Sequence, residues 1–331
     1  MVTPKTESLP PPPGIIHSIR AGFDVISTNL AAILLPLMLD VFLWLGPRLS
    51  LERLFLSLQS EMMAIWKAGG ISAADLEQLM EGYKNMVPQF NLFWLLRTIP
   101  VGISSLMFAR NLPQTPLGLP TIWQVTGGDL ILWMGLLIFL GWVGGGLYFR
   151  WVARFSIPDL QEQLPGTLKA VAQTVLLSIV WTGLTLAIGL PVFLFVALLF
   201  QVNSILAQIV ILGASFLSMW LIVPMFFWPH GIFIKNQNFL VAIISSAQMA
   251  RFTLPTSSMF VLTIFLLGFG LNFVWSIPSP ESWMTVVGIL GHAFITTALL
   301  AASFIYYRDM TAWLQTVMER LKASRTVTRQ V

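Results

Sequence analysis

FNLFWLLRTIPVGISSLMFA, residues 90–109, is a largely apolar stretch of twenty residues with Arg97 near its middle, and whether it crosses a membrane decides the fold. A straight helix of that length rises about 30 Å, the thickness of a hydrocarbon core. Against a crossing stands the arginine, because an unpaired guanidinium at mid-bilayer costs about 2.5–3.5 kcal/mol on insertion scales. Pro100 also removes a backbone donor within the same stretch. The stretch is therefore read as re-entrant or interfacial, and a seventh crossing is the rival.

The rest of the chain leaves no doubt about its class. Of 331 residues, 56% are hydrophobic and 10% charged, against roughly 25% charged in an ordinary soluble domain. A soluble globule of this length cannot hide so much apolar side chain, which excludes a soluble enzyme, a nucleic-acid-binding domain and a disordered regulator. With no cysteine, disulfides and thiolate metal sites are excluded as well. Apolar runs at 26–45, 130–149, 168–200, 205–227, 258–275 and 283–307 predict an all-α, polytopic transmembrane bundle of six spans. The run 168–200 would rise about 50 Å if straight, so Gly189 and Pro191 are expected to break it, and Pro36 and Pro224 to kink their own helices.

Charge counting alone slightly favours the seven-span rival with its N-terminus outside; the cost of Arg97 and the acidic residues of 47–88 keep the six-span reading. With six spans and a cytoplasmic N-terminus, twelve of the eighteen Lys and Arg fall on the cytoplasmic side and six in residues 47–128, as the positive-inside rule requires. The seven-span rival leaves only Lys5, Arg20 and Arg110 outside but places Arg97 in the bilayer, and five acidic residues between 47 and 88 dilute the charge of that segment. The chain thus divides into a cytoplasmic N-terminal tail and interfacial turn (1–25), a transmembrane bundle (26–305) and a basic amphipathic C-terminal tail (306–331). The C-terminus is cytoplasmic on either count, and the expected location is the inner cell membrane.

Residues 47–128 form an extracytoplasmic insert. Leu51, Leu54, Phe55, Leu58, Met62, Ile65 and Trp66 recur at helical spacing, Gly69 and Gly70 break the pattern, and Ser72 with Asp75 resembles an N-terminal cap. Leu76, Leu79, Met80, Tyr83 and Val87 then stripe a second amphipathic helix. Residues 238–251 form a further short helix, bounded by a turn at Trp228, Pro229, His230 and Gly231 and by Pro255. In the tail, Trp313, Leu314, Val317 and Leu321 stripe a helix whose Arg320, Lys322 and Arg325 suit anionic lipid headgroups.

Chemistry is sparse. His17, His230 and His292 lie far apart with no acid at helical spacing beside them, so no metal or other cofactor is expected. Asp40 and Asp129 fail as an aspartyl protease pair, because their depths disagree and Thr126 stands where the motif needs glycine. No P-loop, GxSxG elbow or dinucleotide fingerprint is present. The residues singled out are Asp40, an intramembrane acid; Arg97, its obvious counter-charge; and His292, a helix-to-helix hydrogen bonder. Gly141 and Gly145 have the spacing that lets two helices approach.

The order of parts resembles a broad group of polytopic bacterial and archaeal membrane proteins that includes the membrane domain fused to some glycerophosphodiester phosphodiesterases. The likeness is carried by residues 15–29, the span ending at Arg150, the break at Gly189 and Pro191, and above all residues 242–252 with Ser246 and Arg251. It implies six helices in a bacterial-type inner membrane. The chain has no phosphodiesterase domain, so that activity does not carry over. The expected function is a non-enzymatic membrane subunit or scaffold that binds lipid, or a protein partner through the outer helices or the tail. The alternative is a small transporter component with a polar pathway near Asp40.

Overall fold

The computed structural model describes residues 10–70, 72–110 and 114–328. Lys5 and Arg329, both counted above for orientation, lie outside them. The described chain is almost wholly helical: α1 (Ile15–Thr28), α2 (Leu34–Leu45), α3 (Glu52–Ala68), α4 (Ala73–Met86), α5 (Leu130–Ser156), α6 (Thr167–Leu184), α7 (Leu190–Val202), α8 (Ser204–Lys235), α9 (Phe239–Trp275) and α10 (Thr285–Thr328). Four helices are long and apolar enough to cross a membrane, and six if each of two bent pairs, 15–45 and 204–235, makes one span. This is the architecture of a polytopic helical membrane protein. The chain divides into two compact units, one of Met1–Ala32, Phe149–Gly268 and Thr297–Val331, the other of Ile33–Tyr148 and Phe269–Thr296.

In the first unit, α1 crosses α10 at a small-residue contact. Ser18, Gly22 and Ile26 are buried at four-residue spacing, and a Cβ on Gly22 would stand 2.6 Å from the Ala302 amide nitrogen. The core is aromatic: Phe227 of α8, Phe260 of α9 and Tyr306 of α10 are fully buried, the last two stacked with centroids 3.9 Å apart. α6 and α7 run as one 36-residue helix, Thr167–Val202, carrying a π turn at Thr185–Gly189. The break expected at Gly189 and Pro191 does not occur: the helix runs on, because the wider π turn before Pro191 accommodates a ring that cannot donate to the carbonyl four residues back.

Four expectations are corrected here. The run 26–45 is not one helix, for α1 stops at Thr28 and Asn29 adopts a non-helical conformation. Ser27, Thr28 and Asn29 side chains donate to the carbonyls of Asp24 and Val25, competing with the next helical turn. The expected turn at residues 228–231 is absent: α8 runs through Pro229 to Lys235 and ends on Asn236 in the left-handed region. Burial explains the override, since His230 and Phe233 pack against Phe304. Residues 238–251 do not form a separate helix but the first part of α9, kinked at Thr253 two residues before Pro255. Likewise, the tail continues α10 without a break.

In the second unit, α3 and α4 form where their stripes predict. Ser72 caps α4, its hydroxyl oxygen accepting from the Asp75 amide at 3.2 Å while its proton goes to Asp75 Oδ2 at 2.6 Å. Phe55 and Trp66 pack on Tyr83, tying the two helices. A two-stranded parallel ladder, β1 (Arg48–Ser50) with β2 (Ile122–Gln124), was not foreseen. It brings the entrance of α5 to the exit of α2. The Trp44 indole donates to the Pro280 carbonyl at 2.7 Å, so the linker before α10 joins the same end.

Candidate functional site

Residues 90–109 do not form a spanning helix. Leu92–Leu96 make a short 3₁₀ turn, and residues 97–108 then run irregularly between the helices of the second unit. Irregular backbone tolerates an apolar surround only where protein covers it and its polar groups find partners. Protein covers Val101, Ile103, Ser105, Leu106 and Met107, and partners are present for the Val101 carbonyl and the Leu106 and Met107 amides.

Gly141 and Gly145 supply the room. A Cβ on Gly141 would meet the Leu96 carbonyl oxygen at 2.7 Å, and one on Gly145 would lie 2.8 Å from Gly102 Cα. The small-residue pair therefore receives an irregular strand of backbone, not the second helix that its spacing suggests. Gly141 lies about 16 Å along α5 from Leu130, so the segment reaches well down that helix.

Asp40 anchors the segment's far end. Its side chain is fully buried; Ser105 Oγ donates to Oδ1 at 2.6 Å, the Met107 amide to Oδ1 at 3.1 Å and the Leu106 amide to Oδ2 at 3.1 Å. These donors satisfy both carboxylate oxygens and at once give two amides of an otherwise unpaired backbone their acceptors. His292, near the start of α10, is buried and shares a hydrogen bond with Ser104 Oγ at 3.2 Å. It joins a helix to the segment, where a helix-to-helix contact was expected. Arg110 closes the segment, its Nη2 donating to the carbonyls of Ser276 and Pro278 at 2.6 Å each. Sequence reasoning missed Ser104, Ser105 and Arg110, whose roles depend on partners more than sixty residues away.

Arg97 acts on Asp40 as a counter-charge through space but forms no contact ion pair with it. Among the described residues no carboxylate comes within 4.0 Å of it, and its guanidinium instead lies over the Phe108 ring, 4.4 Å from the centroid. The segment thus gathers Asp40, Arg97 and His292 in one unit, but only Asp40 and His292 hydrogen-bond to it.

The other residues of interest stand elsewhere. Asp129 is exposed before α5 and accepts from Thr126 Oγ1 at 2.6 Å, with no shared geometry with buried Asp40. His230 pairs with Ser303 Oγ at 2.8 Å inside the first unit. Arg320 and Lys322 are exposed on α10, while the Arg325 side chain lies outside the described ones. Among the described residues no group of three His, Asp or Glu is placed to hold a metal ion. No family model, curated protein or solved structure matches the chain.

Proposed function

We propose that the protein is a non-enzymatic subunit or scaffold of the inner cell membrane that binds lipid or a protein partner, with both termini cytoplasmic and the insert 47–128 outside. The observation that carries the reading is the distribution of contacts. The charged and polar groups at the heart of the second unit serve to hold backbone in place, whereas the most apolar eighteen residues of Thr167–Val202 bury none of their number. Such a helix needs lipid or another membrane helix around it. Exposed Arg320 and Lys322 add an anionic-headgroup contact at the cytoplasmic surface.

Native mass spectrometry of gently solubilised protein from its own host tests this. Retention of a defined partner or of one lipid class supports it, and solute movement by the pure protein in liposomes overturns it. The transporter reading has one observation in its favour, the irregular segment lying between helices beside Asp40. It requires that Asp40→Asn abolish a measured flux or shift its pH dependence.

A further inference from the structure

Four helices of the first unit carry a cation at one level. Arg150 lies about 30 Å along α5 from Leu130, a full hydrocarbon thickness, and its Nε donates to the Pro165 carbonyl at 2.8 Å, just before α6 begins. Lys169, in the first turn of α6, donates to the Asn236 carbonyl at 3.4 Å. Lys235 is the last residue of α8, and its ammonium lies over the Tyr307 ring of α10, 5.7 Å from the centroid. Arg308, next along α10, is paired with Asp309 at 2.7 Å. The other three have no such partner, for carbonyls and a ring face neutralise no charge. Among the described residues no carboxylate comes within 4.0 Å of any of them. The charge acting on Arg150 is the like one of Arg154, and none acts on Lys235. Asp159 and Glu162 stand exposed on the turn between α5 and α6 and pair with none of the three. The surface beside the cations is apolar: Trp151 follows Arg150 and is 45% exposed, and Leu168 precedes Lys169 and is 84% exposed. The start of α9 joins the same corner, where the Phe239 amide donates to Gln173 Oε1 at 2.8 Å and Leu240 is 57% exposed.

We propose that Arg150, Lys169 and Lys235 form a headgroup site for an anionic phospholipid, one whose phosphate carries no compensating ammonium. The phosphate sits among the three cations, and the acyl chains lie against the exposed leucines. A helix corner where spans end is the depth at which headgroups lie, and basic pockets between membrane helices hold such groups there. The carbonyl bonds keep the cations in place: Arg150 is tied to the α5–α6 connection and Lys169 to the end of α8. Charge-assisted contacts to a phosphate are stronger than those to neutral carbonyls, so a bound headgroup takes up charge that the fold leaves unanswered. This site is separate from Arg320 and Lys322 further along α10, and it deepens the lipid-binding reading given above, on which it rests.

The experiment is native mass spectrometry of the full chain, purified in detergent and offered equal amounts of phosphatidylglycerol and phosphatidylcholine with identical chains. Wild type should retain phosphatidylglycerol about tenfold over phosphatidylcholine, which asks of the three cations together well under their full surface value. Lys169→Gln with Lys235→Gln should cut the preference to about twofold or less, and Lys169→Arg with Lys235→Arg should keep most of it. Lys169→Gln alone, at an exposed position, should lower it about threefold and carries the test if the double variant does not fold. Arg320→Gln with Lys322→Gln should leave it in place. Inorganic phosphate in millimolar excess should not displace the lipid; displacement would make this a free-phosphate site and overturn the phospholipid assignment. Equal retention of both lipids by folded wild type, or a preference untouched by Lys169→Gln, overturns the site. Neither failure bears on the scaffold reading, which stands or falls on solute movement in liposomes.

Discussion

Ser105 donates its hydroxyl proton to Asp40 Oδ1 across 2.6 Å, and through this contact an irregular stretch of chain is fastened to α2. The carboxylate also accepts from two backbone amides, Leu106 and Met107. An acid that the sequence offers as a reactive group is thereby engaged in holding backbone. Asp40→Ala should cost about 1–3 kcal/mol, since it leaves two buried amides without acceptors. Asp40→Asn, which keeps an accepting oxygen, should cost less. Hydrogen exchange at residues 105–107 checks the order: protection lost in the alanine variant and largely retained in the asparagine variant.

The crossing of α1 and α10 depends on the absence of a side chain at Gly22. A methyl group there meets backbone of residues 298 and 302, so Gly22→Ala should destabilise by about 1–3 kcal/mol as the helices are forced apart. Gly82 in α4 has nothing within 4 Å of an added Cβ, and Gly82→Ala should instead stabilise by up to about 1 kcal/mol through helix propensity. Thermal melts of the two variants in one detergent should move in opposite directions.

Arg110 joins the end of the segment to the α9–α10 linker through two carbonyls. Arg110→Met preserves the length of the side chain but removes both charged hydrogen bonds, with an expected loss of about 1.5–3 kcal/mol. Limited proteolysis should then cut within residues 276–284 in the variant under conditions that leave the wild type whole.

Ser72 gives a smaller, local test. Ser72→Ala removes the acceptor for the Asp75 amide and should weaken α4 by about 0.5–2 kcal/mol. Faster exchange at the first turn of α4, with α10 unchanged, is the expected signature.

Legibility in the sequence followed the range of the interaction. The helices α3 and α4, the Ser72 cap and the disturbance before Pro191 are set by neighbours within a few residues, and their signals are correspondingly plain. The end of α1 was also locally encoded, by Ser27, Thr28 and Asn29, but the apolar run from residue 26 to 45 masked it. Pro229 reads as a turn on propensity alone and is overridden by the packing of His230 and Phe233 against Phe304. For the site, Asp40 and His292 were identifiable as costly apolar-region polar residues, and Arg97 argued correctly against a helical crossing at 90–109. Their partners were not visible. Ser104, Ser105 and Arg110 look like ordinary loop residues until the chain brings residues 40, 276, 278 and 292 to them, and the Gly141 and Gly145 pair states that something approaches closely without saying what.

On the topology proposed above, residues 90–109 enter and leave on one side of the membrane. Because the chain has no cysteine, single cysteines at the exposed positions Asn85, Gly128 and Glu319 can be labelled with an impermeant maleimide in sealed vesicles of known orientation. Asn85→Cys and Gly128→Cys should react from the same side and Glu319→Cys only from the other. Labelling of Asn85→Cys and Gly128→Cys from opposite sides would make residues 90–109 a true crossing and contradict it.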